Sequence, residues 1–138
     1  DAFLAAAEVL TRAHGRRRPG GSAAVELVTG WYGREAYEGQ RPFRWMEGTS
    51  SILLVSPSGR PRTDDVAFEY KCPIGGLSVD GRGVEARSEP GSAPEWTRVV
   101  LDVPDGVESV VTLGTPQVFR VPTDTRSFGC MVTDFEVR

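Results

Sequence analysis

Val66-Ala67-Phe68-Glu69-Tyr70-Lys71-Cys72 is the stretch from which the fold is read. Val66, Phe68, Tyr70 and Cys72 alternate with Ala67, Glu69 and Lys71, the period of a strand with one face turned to a core. The same period recurs on both sides. Downstream, Trp96 opens a run in which Thr97, Val99, Leu101 and Val103 oppose Arg98, Val100 and Asp102. Upstream, Val25, Leu27, Thr29 and Trp31 share one face against Glu26, Val28 and Tyr32. Ile52-Leu53-Leu54-Val55 is apolar throughout, which suits a strand covered on both faces.

Turn chemistry separates these runs. Pro57 to Pro61, Pro73-Ile74-Gly75-Gly76 and Pro104-Asp105-Gly106 each break the pattern. Asp80-Gly81, between Leu77-Ser78-Val79 and Val84 to Arg87, predicts a tight hairpin. Phe43 to Met46, Val107 to Leu113 and Gln117 to Val121 read as further strands. In a closing strand from Phe128 to Val137, Cys130 and Val132 oppose Met131, Phe135 and Val137. Apolar groups on both sides suit a central or bulged strand. Roughly ten short strands with connections too short for helical crossovers imply antiparallel pairing. The expected fold is all-β: a two-sheet, jelly-roll-like β-sandwich over residues 23–138, preceded by one helix. That helix covers residues 1–14, with Asp1 as cap and Phe3, Ala6, Ala7, Leu10 and His14 at helical spacing. Gly15 stops it and Pro19-Gly20-Gly21 supplies a flexible exit, so residues 1–22 read as helix and linker. The helix docks on the β domain or belongs to a domain upstream.

A chain of 138 residues with 16 glycines, 10 prolines and 39% hydrophobic content suits one turn-rich β domain. The net charge of −3 is mild and does not suit a nucleic-acid module, which would show a basic face. Arg16-Arg17-Arg18 is the one basic run, most simply a solvated helix end. No apolar run approaches the length of a transmembrane helix, and no signal peptide is visible. Cys72 and Cys130 form neither a disulfide framework nor a zinc motif; free thiols inside strands are the plainer reading, with pairing left open. The single histidine, His14, lies in the expected helix, which disfavours Ser–His–Asp or Cys–His catalysis and a His-based metal site. Glu35, Glu38, Glu47, Asp64 and Asp65 could converge as a catalytic carboxylate pair. Asp64-Asp65 could help hold calcium, although a solvated turn explains them more simply. No cofactor is implied.

Chemistry is concentrated in Gly30 to Met46, which holds two of the three tryptophans and two of the three tyrosines. Aromatic rings cover the apolar faces of sugars, while Arg, Glu and Gln bond the hydroxyl rim. Register limits which side chains are free to do so. Trp31 shares a face with Val25 and Leu27, so it should be core. Phe43 and Trp45 share a face and at least one should be core, leaving Arg44 and Met46 opposite, with Arg44 near Glu35 or Glu47. The candidate carbohydrate-binding residues are therefore Tyr32, Arg34, Glu35, Tyr37 and Arg44.

Gly30-Trp31-Tyr32-Gly33-Arg34-Glu35, followed by Phe43-Arg44-Trp45-Met46, resembles the opening of a β-sandwich accessory domain. Such domains sit beside bacterial glycosyltransferases and methyltransferases of surface-polysaccharide assembly. Leu77 to Gly81 and Asp124 to Val132 resemble that family's hairpin and closing motifs, with Met46 and Phe128 departing from its usual Thr and Leu. The resemblance covers roughly residues 25–138 and implies a non-catalytic module, similar in fold to carbohydrate-binding jelly rolls. It implies a weakly bound glycan or glycosylated substrate and an upstream catalytic domain as partners. Cytoplasmic work, at the inner membrane surface through a parent enzyme, is the expected setting. A structural or dimerisation module is the alternative.

Overall fold

The computed structural model describes residues 24–56, 64–103 and 108–137. The helix expected over residues 1–14, its linker and the turns at Pro57 and Pro104 lie outside them. Ten strands are formed: β1 (Ala24–Thr29), β2 (Phe43–Trp45), β3 (Ser50–Ser56), β4 (Asp64–Lys71), β5 (Ser78–Gly81), β6 (Glu85–Pro90), β7 (Thr97–Val103), β8 (Ser109–Gly114), β9 (Met131–Thr133) and β10 (Glu136–Val137). Every pairing between them is antiparallel. The smaller sheet runs β1-β3-β8-β5 and the larger β2-β9-β4-β7-β6, with β10 also on β4. β4 pairs with β7 in one sheet while their outer neighbours β3 and β8 pair in the other. This nesting makes the sandwich jelly-roll-like.

The alternation seen in the sequence becomes the core. Val66 and Phe68 of β4, Val99, Leu101 and Val103 of β7 and Val132 of β9 meet Leu53, Val55, Val111 and Leu113 of the smaller sheet, all buried. Such apolar burial, at about 25 cal/mol per Å², is the main driving force for closing two sheets on each other. β3 is covered on both faces, as its unbroken apolar run predicts: Ile52 and Leu54 are as buried as Leu53 and Val55.

Six expectations are corrected. Leu77 to Arg87 is not a hairpin, because β5 pairs with β8 and β6 with β7 in opposite sheets. The connection is a corner: Val84 N–H donates to the Gly81 carbonyl (3.1 Å), and the positive φ falls on Gly83. Gln117 to Val121 makes only one bridge, Phe119 to Phe128. The closing strand divides into β9 and β10 around Asp134 and Phe135, and this break returns Phe135 to the core against Phe68. Asp64-Asp65 opens β4 rather than forming a turn. The two cysteines are joined by a Cys72–Cys130 disulfide, spanning a sequence separation of 58. β4 ends one residue before Cys72 and β9 begins one residue after Cys130, and the two strands pair at Lys71 and Met131, so chain folding, and not residue spacing, brings the sulfurs together.

Phe43 is buried, as expected, but the inner face of β2 is the opposite one. Met46 is fully buried in the main core, and Arg44 shares the face of its register partner Val132. Phe43 and Trp45 point to the other side of the sheet. There the 115–130 segment covers them with a second aromatic cluster, Trp45 meeting Phe119 at 5.4 Å and Phe128 at 5.2 Å. Gly30 lets the chain leaving β1 pass close against the start of β3. Its φ is +83°, and a Cβ there would collide with the Ser50 carbonyl and lie 2.9 Å from Ser51 Cα.

Candidate functional site

The five residues expected to form a binding rim are held by the protein itself. Tyr32 donates its hydroxyl to the Ser127 carbonyl (2.9 Å), with the Arg126 guanidinium 5.3 Å over its ring. Arg34 bonds both oxygens of Asp134, at 3.1 and 2.9 Å to Oδ2, and this raises the guanidinium pKa. Arg44 reaches the same carboxylate at 3.7 Å instead of Glu35 or Glu47. Tyr37 donates to Glu35 (2.6 Å), a bond that raises the phenol's pKa. The structure thus gathers Arg34 with Arg44 on Asp134 and, separately, Glu35 with Tyr37. Tyr32 and Arg44 share an open depression with Trp31 and Glu47, which Arg34, Glu35 and Tyr37 do not line.

A better-formed recess lies on the outer face of the larger sheet. Glu69 of β4 is set opposite Arg98 of β7, and Arg98 opposite Glu89 of β6. Glu69 is buried, although its face of β4 is the one turned away from the core. Its Oε1 accepts from Ser92 N–H (2.8 Å) and Ser92 Oγ (2.9 Å), while Oε2 accepts from Arg41 (2.5 Å). Burial disfavours the charged carboxylate, but the Ser92 and Arg41 bonds outweigh that and hold its pKa below the ordinary 4.5. Arg98 adds ion pairs to Glu89 (3.1 Å) and Glu136 (3.7 Å); its Nη2 is buried without a hydrogen bond.

Glu69 thereby fixes two loops. One carries Gln40 and Arg41. The other, Gly91 to Trp96, is closed by Gly91 N–H to the Trp96 carbonyl and Trp96 N–H to the Ala93 carbonyl, each 3.0 Å. Gly91 is required by space: a Cβ would collide with the Trp96 carbonyl oxygen and lie 2.7 Å from Glu69 Oε1. Between these loops is a cleft of about 300 Å³ lined by Gln40, Arg41, Glu69, Lys71, Ser92, Glu95, Trp96, Met131 and their neighbours. Lys71 and Met131 are cross-strand partners, and the Cys72–Cys130 bond lies one residue beyond them. Lys71 pairs with Glu95 across the mouth at 2.7 Å, which lowers the Glu95 pKa.

The three tryptophans differ in their company. Trp31 donates its Nε1–H to the Ile52 carbonyl (2.9 Å) and meets Phe135 edge-on. Trp45, also half-buried, packs against Phe43, Phe119 and Phe128. Trp96 lines the cleft, half-buried. The sequence places Trp96 at the opening of a strand and outside the five candidate residues; the alternation that puts Glu69 and Lys71 on the outer face is the usable signal for this cleft. Among the described residues no group of three or more His, Cys, Asp or Glu side chains is gathered as a metal site, and no helix is long and apolar enough to cross a membrane. No protein-family model matches this chain, and no curated protein or solved structure does either.

Proposed function

We propose that this domain is a non-catalytic carbohydrate-binding module whose ligand lies in the cleft beside Trp96. One observation carries the reading: an indole and the Met131 thioether share a small recess with Gln40, Arg41, Lys71 and Ser92. That combination offers an apolar surface for a sugar face and donors for its hydroxyls. The sequence resemblance supports an accessory role beside a glycosyltransferase or methyltransferase of surface-polysaccharide assembly. The Cys72–Cys130 bond favours an oxidising compartment over the cytoplasm as the place of work.

Titration of the protein with cell-envelope oligosaccharides, followed by tryptophan fluorescence, tests the proposal. The expected result is saturable quenching that is lost in Trp96→Ala and retained in Tyr37→Ala. Gly91→Ala, which displaces the Trp96 loop without removing the ring, should weaken the same signal. Absence of any response, or undiminished binding by Trp96→Ala, would sink it. The second reading is a structural or dimerisation module, favoured by the intramolecular bonds of Tyr32, Arg34, Tyr37 and Arg44. Light scattering separates it: loss of assembly in Arg44→Ala supports this alternative.

A further inference from the structure

We infer that the cleft selects an uncharged pyranose, one or two rings at a time, over uronates and amino sugars. This deepens the sugar-binding reading and rests on it. The four charged side chains lining the cleft are two cations and two anions, and each has a partner within the lining: Arg41 with Glu69 at 2.5 Å, and Lys71 with Glu95 at 2.7 Å. A ligand therefore meets no net charge. Glu69 is also buried and already takes three hydrogen bonds, from Ser92 and Arg41.

A uronate would have to draw Arg41 from a buried carboxylate or Lys71 from Glu95. The first choice strands a buried charge, which is costly. The second breaks an exposed pair to make another like it, and sets the incoming carboxylate beside the released Glu95, a like-charge contact that opposes the exchange. An amino sugar finds Glu69 buried and paired with Arg41, and at Glu95 it would displace Lys71 and sit beside that released ammonium. An uncharged ring requires neither exchange. Its apolar face lies against Trp96 and Met131, and its hydroxyls meet the Gln40 amide, which both donates and accepts. Arg41 and Lys71 carry five and three N–H donors, so each has protons to spare while keeping its carboxylate. A volume of about 300 Å³ is at the low end for small-molecule sites, which suits a chain end or a short branch.

The test is titration of the intact protein with neutral hexose oligosaccharides, oligouronates and glucosamine oligomers, at low and high salt. The expected result is binding of a neutral series with little salt dependence, and affinities several-fold weaker for both charged series, the scale of one exposed pair. In Glu95→Gln, which frees Lys71, oligouronate affinity should rise several-fold while neutral affinity holds. Tighter, salt-sensitive binding of either charged series by the unaltered protein overturns the inference and leaves the sugar reading intact. So does a Glu95→Gln variant with no gain for oligouronates. Failure of all three series to bind overturns the sugar reading itself.

Discussion

Gly30 to Met46 and the cleft beside Trp96 contrast in how their chemistry is distributed and used. The first is dense in sequence, with aromatic and charged groups a few residues apart, yet its side chains face several directions and bond to the protein. The second is dilute in sequence. Gln40, taken from the first region, joins Glu69, Lys71, Trp96 and Met131 from across the domain, and strand pairing together with the Glu69 hydrogen bonds gathers them. Concentration along the chain marks where the fold is nailed down; concentration in space marks where a ligand can sit.

Removing the disulfide should give the largest effect. Closing a loop of 58 residues' separation is worth about 4 kcal/mol in a chain-entropy account. A Cys72→Ser/Cys130→Ser variant should lose about that much in denaturant titration, and its cleft should bind less well because Lys71 and Met131 lose their clamp. An unchanged unfolding midpoint would show that the bond does not constrain the domain. Next, Trp45→Ala should cost about 3 kcal/mol by emptying the second aromatic cluster, while sugar quenching by the remaining tryptophans persists. Trp96→Ala should do the reverse, with a small stability change and lost binding. If the two variants behaved alike, the contrast between the regions would fail.

Glu69 gives a pH signature. Its folded pKa lies below the ordinary 4.5, so its contribution is complete above that value and disappears as pH falls through the folded pKa. Thermal melts of the unaltered protein should therefore lose stability below about pH 4.5 more steeply than those of Glu69→Gln. Parallel curves would remove the argument that this carboxylate fastens both loops. Arg34→Ala should give the smallest change. The Arg34–Asp134 pair is about half exposed, and such pairs contribute about 1 kcal/mol or less, so stability should barely move and binding should not.

Much of the fold was legible because burial imposes period two on a strand, and the inner faces of β4 and β7 carry it without interruption. β2 was misread for a physical reason. Phe43 and Trp45 flank Arg44, so alternation turns the aromatic pair inward, whereas a covering segment from 115–130 gives that pair an apolar shelter on the outer side. The false hairpin had the same origin. Asp80-Gly81 announces a turn, but a turn does not specify whether its flanking strands pair with each other or with partners far along the chain.

The sequence by itself determined the class: alternation and turn residues leave an antiparallel two-sheet sandwich as the economical way to bury these apolar faces. It also determined the chemical character of Gly30 to Met46. Tertiary structure decided which of those groups stay free, because hydrogen-bond and ion-pair partners such as Asp134 and Ser127 arrive from about 100 residues away. It decided, too, that Cys72 meets Cys130 and that Trp96 meets Gln40 and Met131. Local sequence carries periodicity and propensity, whereas a site is a set of long-range coincidences that exists only once the strands are paired.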